Sequence, residues 1–132
     1  MNIYPILLLF VLISCSQQSN ANKSSHYSGK HDNWKASEIV DYKLSIINGN
    51  AVEEYSFFKD GYVKATIGTT DGPVAGPVFY WEIDKNGILI IKDYDKKSIV
   101  KIAKISDGNN IISAECERQE VWSKCKYKKE KD

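Results

Sequence analysis

Histidine is close to absent from this sequence. His26 and His31 are the two it has, and no imidazole follows residue 31. A Ser-His-Asp or Cys-His arrangement inside a folded domain is therefore excluded. There is also no HExxH, no CxxC and no glycine-rich phosphate loop leading into a helix, so the familiar metallohydrolase and nucleotide-binding signatures are missing. No Lys, Arg, Asp or Glu occurs before Lys23, although the chain as a whole carries 18 basic and 17 acidic side chains. The near balance argues against a dedicated nucleic-acid binder, which needs a strong electrostatic footprint. The asymmetry separates an apolar leader from a charged, soluble domain. A long apolar run is absent too: Ile6 to Ile13 spans eight residues, and a membrane-crossing helix needs about 20.

What that short run does fit is the apolar core of a secretory signal. Directly after it stands Leu12-Ile13-Ser14-Cys15, which resembles the bacterial lipobox, where aliphatic and small residues precede the cysteine that becomes the acylated N-terminus. The resemblance implies a signal peptide over residues 1–14, lipidation of Cys15 and attachment to a membrane through the acyl chains, since several chains anchor durably where one holds only marginally. One feature departs from the pattern: Met1 to Pro5 has no Lys or Arg, whereas signal n-regions carry positive charge. The other reading is an ordinary cleaved signal in which Cys15 is incidental. Ser16 rather than Asp follows the cysteine, which by the same resemblance points to the outer membrane of a Gram-negative cell, with the domain in the periplasm or at the cell surface.

Residues 15–33 are polar, rich in Ser and Asn and without periodicity, the composition of a flexible tether. Both histidines fall in it and read as solvated. Cys116 and Cys125 remain for the mature domain, and an even pair in an exported protein reads as a disulfide. The segment between them has Arg118-Gln119-Glu120 flanked by alternating stretches, so the two cysteines are expected to face each other across a hairpin. Such a bridge contributes about 2–3 kcal/mol by chain-entropy reasoning. Two free thiols or a metal pair are the alternatives, against which stand the missing CxxC and the lack of a nearby histidine.

From Trp34 to Tyr127 short alternating segments are broken by turn residues every 8–12 positions, the signature of an all-β sandwich or barrel. Strands are expected at 42–46, 52–59, 63–67, 78–84, 88–93, 98–105, 111–117 and 121–127. Asn48-Gly49-Asn50, Asp60-Gly61, Asn86-Gly87 and Asp107-Gly108 supply the turns. Trp34 to Val40 has room for one helical turn. The expected fold is a small antiparallel up-and-down barrel or sandwich of about eight strands, following the signal and tether. The lone Trp34, the segment Phe57-Phe-Lys-Asp-Gly-Tyr-Val63, the segment Phe79-Tyr-Trp-Glu-Ile-Asp-Lys-Asn-Gly-Ile-Leu-Ile-Ile91 and the late Trp122 resemble the small lipocalin-like domains carried by many bacterial lipoproteins. Residues 128–132 read as a basic tail, either frayed in solvent or drawn to anionic headgroups.

Chemistry has few places to reside. Carboxylates are plentiful (Glu53, Glu54, Asp60, Asp84, Asp93, Asp95) but read as solvated surface near turns, and Asp93-Tyr94-Asp95 lacks the further ligands calcium needs. No catalytic residue, metal or cofactor is assigned. Two features stand out. Gly68 to Pro77 is a ten-residue connection with three Gly and two Pro among short turns. It reads either as a shaped recognition loop or as a permissive crossover. Aromatic density is the second: Tyr55, Phe57, Phe58, Tyr62, Phe79, Tyr80 and Trp81. Core packing accounts for Phe57, Phe79 and Trp81, while the run Phe79-Tyr80-Trp81 must place rings on both faces, with Tyr80 expected outward. The candidate binding residues are therefore Thr69, Thr70, Asp71, Gly72, Tyr80 and Trp81. The expected function is a non-catalytic binding module that recognises a protein partner in the manner of an inhibitor or immunity lipoprotein. The alternative is a carrier of a small apolar ligand, for which small inward residues at Ala65, Ala103 and Ala114 would leave a cavity. An envelope enzyme is the third hypothesis and would require carboxylates converging in one cleft.

Overall fold

A computed structural model of the chain describes residues 30–132. The expected signal peptide with its lipobox-like segment, Cys15, His26 and most of the expected tether lie outside those residues. The described chain forms one helical turn, α1 (Ala36–Ile39), and nine strands: β1 (Tyr42–Ile46), β2 (Ala51–Phe57), β3 (Tyr62–Thr69), β4 (Val74–Ala75), β5 (Val78–Ile83), β6 (Leu89–Lys92), β7 (Ser98–Gly108), β8 (Ile111–Arg118) and β9 (Val121–Lys131). All strand pairings are antiparallel, between sequence neighbours except for β3 with β5 and β9 with β1. The sheet thus closes into an eight-stranded up-and-down barrel, with the two-residue β4 added beside β3. Closure removes the free edges that a meander would otherwise expose.

Alternation decides the inside. Leu44, Tyr55, Phe57, Val63, Leu89, Ile91, Val100, Ile102, Ile112 and Tyr127 are buried in one cluster, each at the inward phase of its strand. Large aromatics and β-branched residues are what a barrel of this size requires to fill its lumen. A second, smaller cluster forms outside the barrel wall, where Ile88, Ile90 and Ala103 pack with Trp122. That position explains why β8 is buried on both faces, Glu115 and Glu117 included.

The segment before β1 seals one end. Trp34 is buried, and its indole N–H donates to the Ile102 carbonyl at 2.9 Å. The Lys104 ammonium lies 5.0 Å from the centre of that ring and bonds Glu38 at 2.8 Å. α1 is far too short to be stable alone. It is held by burial of Ile39, by a bond of 2.7 Å from the Lys35 amide to the Glu38 carboxylate, and by the Lys104 pair.

Several expectations need correction. Lys30 to Asn33 do not belong to a solvated tether: Asp32 pairs with Lys104 in a β-bridge, and His31 bonds the Asn86 carbonyl at 2.8 Å. Residues 128–131 are not a tail. They continue β9, with Lys131 opposite Tyr42, because β1 supplies the partner strand that a frayed end lacks. The turn after β7 falls at Asn109-Asn110, both at positive φ (53° and 64°), and Gly108 ends the strand. The expected ten-residue connection is also shorter. Gly68 and Thr69 complete β3, Val74 and Ala75 pair back onto it, and the turn proper is residues 70–73.

The β8–β9 turn generates a stability test. Gln119 and Glu120 both take positive φ, at 52° and 67°, the geometry of a tight hairpin turn that Asn and Gly tolerate better. The left-handed region costs a residue with a Cβ about 1–2 kcal/mol, while glycine costs about 0.5–1 kcal/mol in chain entropy. Glu120→Gly is expected to stabilise the domain by about 0.5–1 kcal/mol. Equilibrium denaturation in urea checks it; an unchanged or lower midpoint would show that the left-handed backbone is not costly here.

Candidate functional site

The barrel is packed at the α1 end and open at the end that carries the β1–β2 and β8–β9 turns. There a cavity of about 740 Å³ enters the lumen. Inside the barrel its walls are Ile46, Ala51, Ala114 and the Cys116–Cys125 disulfide, and Glu53 and Arg118 supply the charge. Ile47, Asn48, Ile105, Ser123, Lys124 and Lys126 line the rest of it. The disulfide forms as the cysteine pairing implied. It links β8 to β9 with Cα atoms 6.0 Å apart, diagonally across a register in which Ala114 opposes Cys125 and Cys116 opposes Ser123.

A polar layer closes the cup below. Glu53 is 7% exposed, on the inward phase of β2. One of its carboxylate oxygens, Oε2, accepts three bonds: from the Tyr55 hydroxyl at 2.6 Å, the Arg118 Nη2 at 2.9 Å and the Tyr127 hydroxyl at 3.1 Å. Arg118 Nη2 also donates to the Tyr127 oxygen at 3.2 Å, and the Cys116 sulfur lies 3.7 Å from that oxygen. A buried charge persists only when paired and hydrogen-bonded, and this one is both. The layer joins β2, β8 and β9, elements 65 and 74 residues apart in sequence at its two longest links.

The electrostatics follow from burial. Both tyrosines are pushed above their ordinary pKa of 10.0, first by desolvation and then by the adjacent Glu53 charge. Burial opposes the Arg118 charge, but the bond to Glu53 and the negative groups beside it outweigh that, so its pKa is raised. Glu53 was read from the sequence as solvated surface. The structure overturns that, since position 53 lies within a strand and shares its inward phase with Tyr55 and Phe57. Two signals could have pointed to it: Glu53 is spaced by two from Tyr55, and Arg118 is the sole arginine of the chain. Asp84 and Asp93 behave as expected of turn carboxylates, capping backbone amides of their own loops.

The sequence-derived candidates fall in two separate places. Thr69, Thr70, Asp71 and Gly72 are exposed at the open end, where the Thr70 amide bonds the Asn50 carbonyl at 2.9 Å. They neighbour the rim without lining the cup. Tyr80 and Trp81 lie on β5. Tyr80 faces outward from the barrel, as expected, and is half-buried there, with its ring 5.2 Å from Tyr62. Trp81 packs edge-on against Phe57 at 5.8 Å and donates its indole N–H to the Phe58 carbonyl at 2.8 Å. These rings border a shallower hollow of about 420 Å³ with Asp60, Glu82, Lys92 and Lys96. Of the three small residues expected inside, Ala65 is enclosed by the packed core, Ala114 lines the cup and Ala103 faces the outer cluster.

No family model, no curated protein and no solved structure matches this chain.

The polar layer predicts an alkaline limit to stability. The folded state holds the Tyr55 and Tyr127 protons above the pH at which the unfolded chain releases them. Their contribution is therefore full below about pH 10 and is lost as pH rises beyond it. Denaturation free energy is expected to fall progressively as pH rises above about pH 10, and to fall less steeply in Tyr55→Phe. Parallel curves for the two proteins would mean that Tyr55 titrates no differently in the folded state.

Proposed function

We propose that this chain is a non-catalytic binding protein of a bacterial envelope, anchored through acylated Cys15, and that the cup at the barrel mouth is its binding site. Its ligand is a small molecule with an apolar body. The observation that carries this reading is the open cavity of about 740 Å³, within the range of roughly 300–1,000 Å³ typical of small-molecule sites. Apolar walls beside a few convergent polar groups are what such sites use, the first for affinity and the second for orientation. The likeness to lipocalin-like lipoprotein domains agrees with it, as does a barrel whose α1 end is filled while the other end is open.

The other reading is recognition of a protein partner. Phe58, Tyr62 and Val78 are exposed near the Tyr80 ring on the outer wall, and aromatic residues of this kind serve protein contacts. The same lipid anchor and tether suit either role, and an outer-membrane position follows from the residues around Cys15.

Native mass spectrometry of the purified protein after exposure to a detergent-free envelope extract separates the two. A stoichiometric small-molecule adduct is expected, and Ala51→Trp, which fills the cup from its partly exposed rim, is expected to abolish it while moving the thermal midpoint by no more than about 4 °C. A protein adduct that survives Ala51→Trp would assign binding to the outer aromatics instead. The anchor is tested independently: radiolabelled palmitate is expected to enter the chain in cells and to be absent from Cys15→Ser. Equal labelling of both proteins would refute acylation at that residue.

A further inference from the structure

We propose that the ligand held in the cup presents, at its buried end, an uncharged group that both donates and accepts a hydrogen bond, a carboxamide above all; this rests on the cup being the binding site. The three donors to Glu53 all converge on Oε2. Oε1 receives no hydrogen bond among the described residues, although an ionised carboxylate offers about four acceptor sites. A residue 93% buried that lines an open cavity and keeps one oxygen without a donor is an acceptor waiting for a ligand N–H or O–H. Leaving it without one costs free energy that a matching donor restores.

Arg118 is the complementary half. Its Nη2 spends its hydrogens on Glu53 Oε2 and the Tyr127 oxygen, while Nε and Nη1 have no acceptor among the described residues. The side chain is 40% exposed and lines the same cavity. The carboxylate and guanidinium are thus joined at one corner each, with an unused acceptor and unused donors beside that junction.

Charge then selects the class. An anionic head would gain from Arg118 but meet the Glu53 carboxylate; a cationic head would gain from Glu53 but meet the guanidinium. Because the pair is already mutually neutralised, a neutral dipolar group satisfies both without opposing either. Lys124 and Lys126 also line the cavity, and both are solvent-exposed, so their field is screened before it reaches the polar layer. In a carboxamide the N–H donates to Glu53 Oε1 and the carbonyl accepts from Arg118. Its hydrocarbon rests against Ile46, Ala51, Ala114 and the disulfide.

Three probes with one apolar body isolate the head group: benzamide, benzoate and benzylammonium. Each is titrated against the full chain in phospholipid nanodiscs, following the methyl resonances of Ile46, Ala51 and Ala114. Benzamide is expected to bind the unmodified protein at least about fivefold more tightly than either ion. Glu53→Gln is expected to turn the ranking toward benzoate, and Arg118→Gln toward benzylammonium, each by about tenfold or more. If benzoate or benzylammonium binds the unmodified protein most tightly, or all three bind alike, the head-group assignment is wrong while the cup remains a binding site. If no probe shifts the cup methyls, the cup itself is not the site and both readings fall.

Discussion

A single carboxylate oxygen, Glu53 Oε2, gathers two tyrosine hydroxyls and an arginine into one buried point. Those partners stand on β2, β8 and β9, so the bonds act across the barrel rather than along one strand. Hydrogen bonds to an ionised acceptor contribute about 1.5–3 kcal/mol each when the alternative is a buried group left unpaired. The layer also sets the shape of the interior. On one side of it the lumen is filled by Leu44, Phe57, Val63 and their neighbours; on the other it stays open and is lined by short side chains. An apolar residue at position 53 would strand two buried hydroxyls and remove the countercharge of Arg118.

The two ends of the barrel are finished by different physics. At the closed end the chain before β1 folds back, and the Trp34 ring, the Ile39 side chain and the Lys104–Glu38 pair exclude solvent. Trp34 itself has no regular structure, and β7 holds it by offering a carbonyl for the indole and an ammonium for its ring face. At the open end the Cys116–Cys125 bridge ties β8 to β9 beside the cup. That covalent link fixes a wall of the cup to the core, since Cys116 is itself buried in the main cluster and Cys125 packs against it.

Much of the barrel was legible in the residues. Each expected strand is present because period-two alternation is a local signal, and Asn48-Gly49 and Asp60-Gly61 mark turns by their tolerance of positive φ. The failures are equally physical. The strand partner of residues 128–131 is β1, more than eighty positions earlier, and no local pattern announces it. The stretch from Gly68 to Pro77 looked like a long loop because Gly and Pro mark turns, yet pairing of Val74 and Ala75 with β3 overrode that composition. Tyr80 does take the outward phase of β5, opposite to Phe79 and Trp81, and the neighbouring Tyr62 ring covers part of it.

The sequence by itself determined the all-β class, the strand spacing and the pairing of Cys116 with Cys125, since each of these follows from residue type and near-neighbour periodicity. Only the tertiary structure decided that the sheet closes, that one end is sealed by Trp34 and that Glu53 is buried rather than solvated. It alone brought Arg118 across to Glu53, 65 positions away. The reason is the inward phase of separate strands: which side chains meet inside a barrel depends on the register and stagger of strands far apart in the chain.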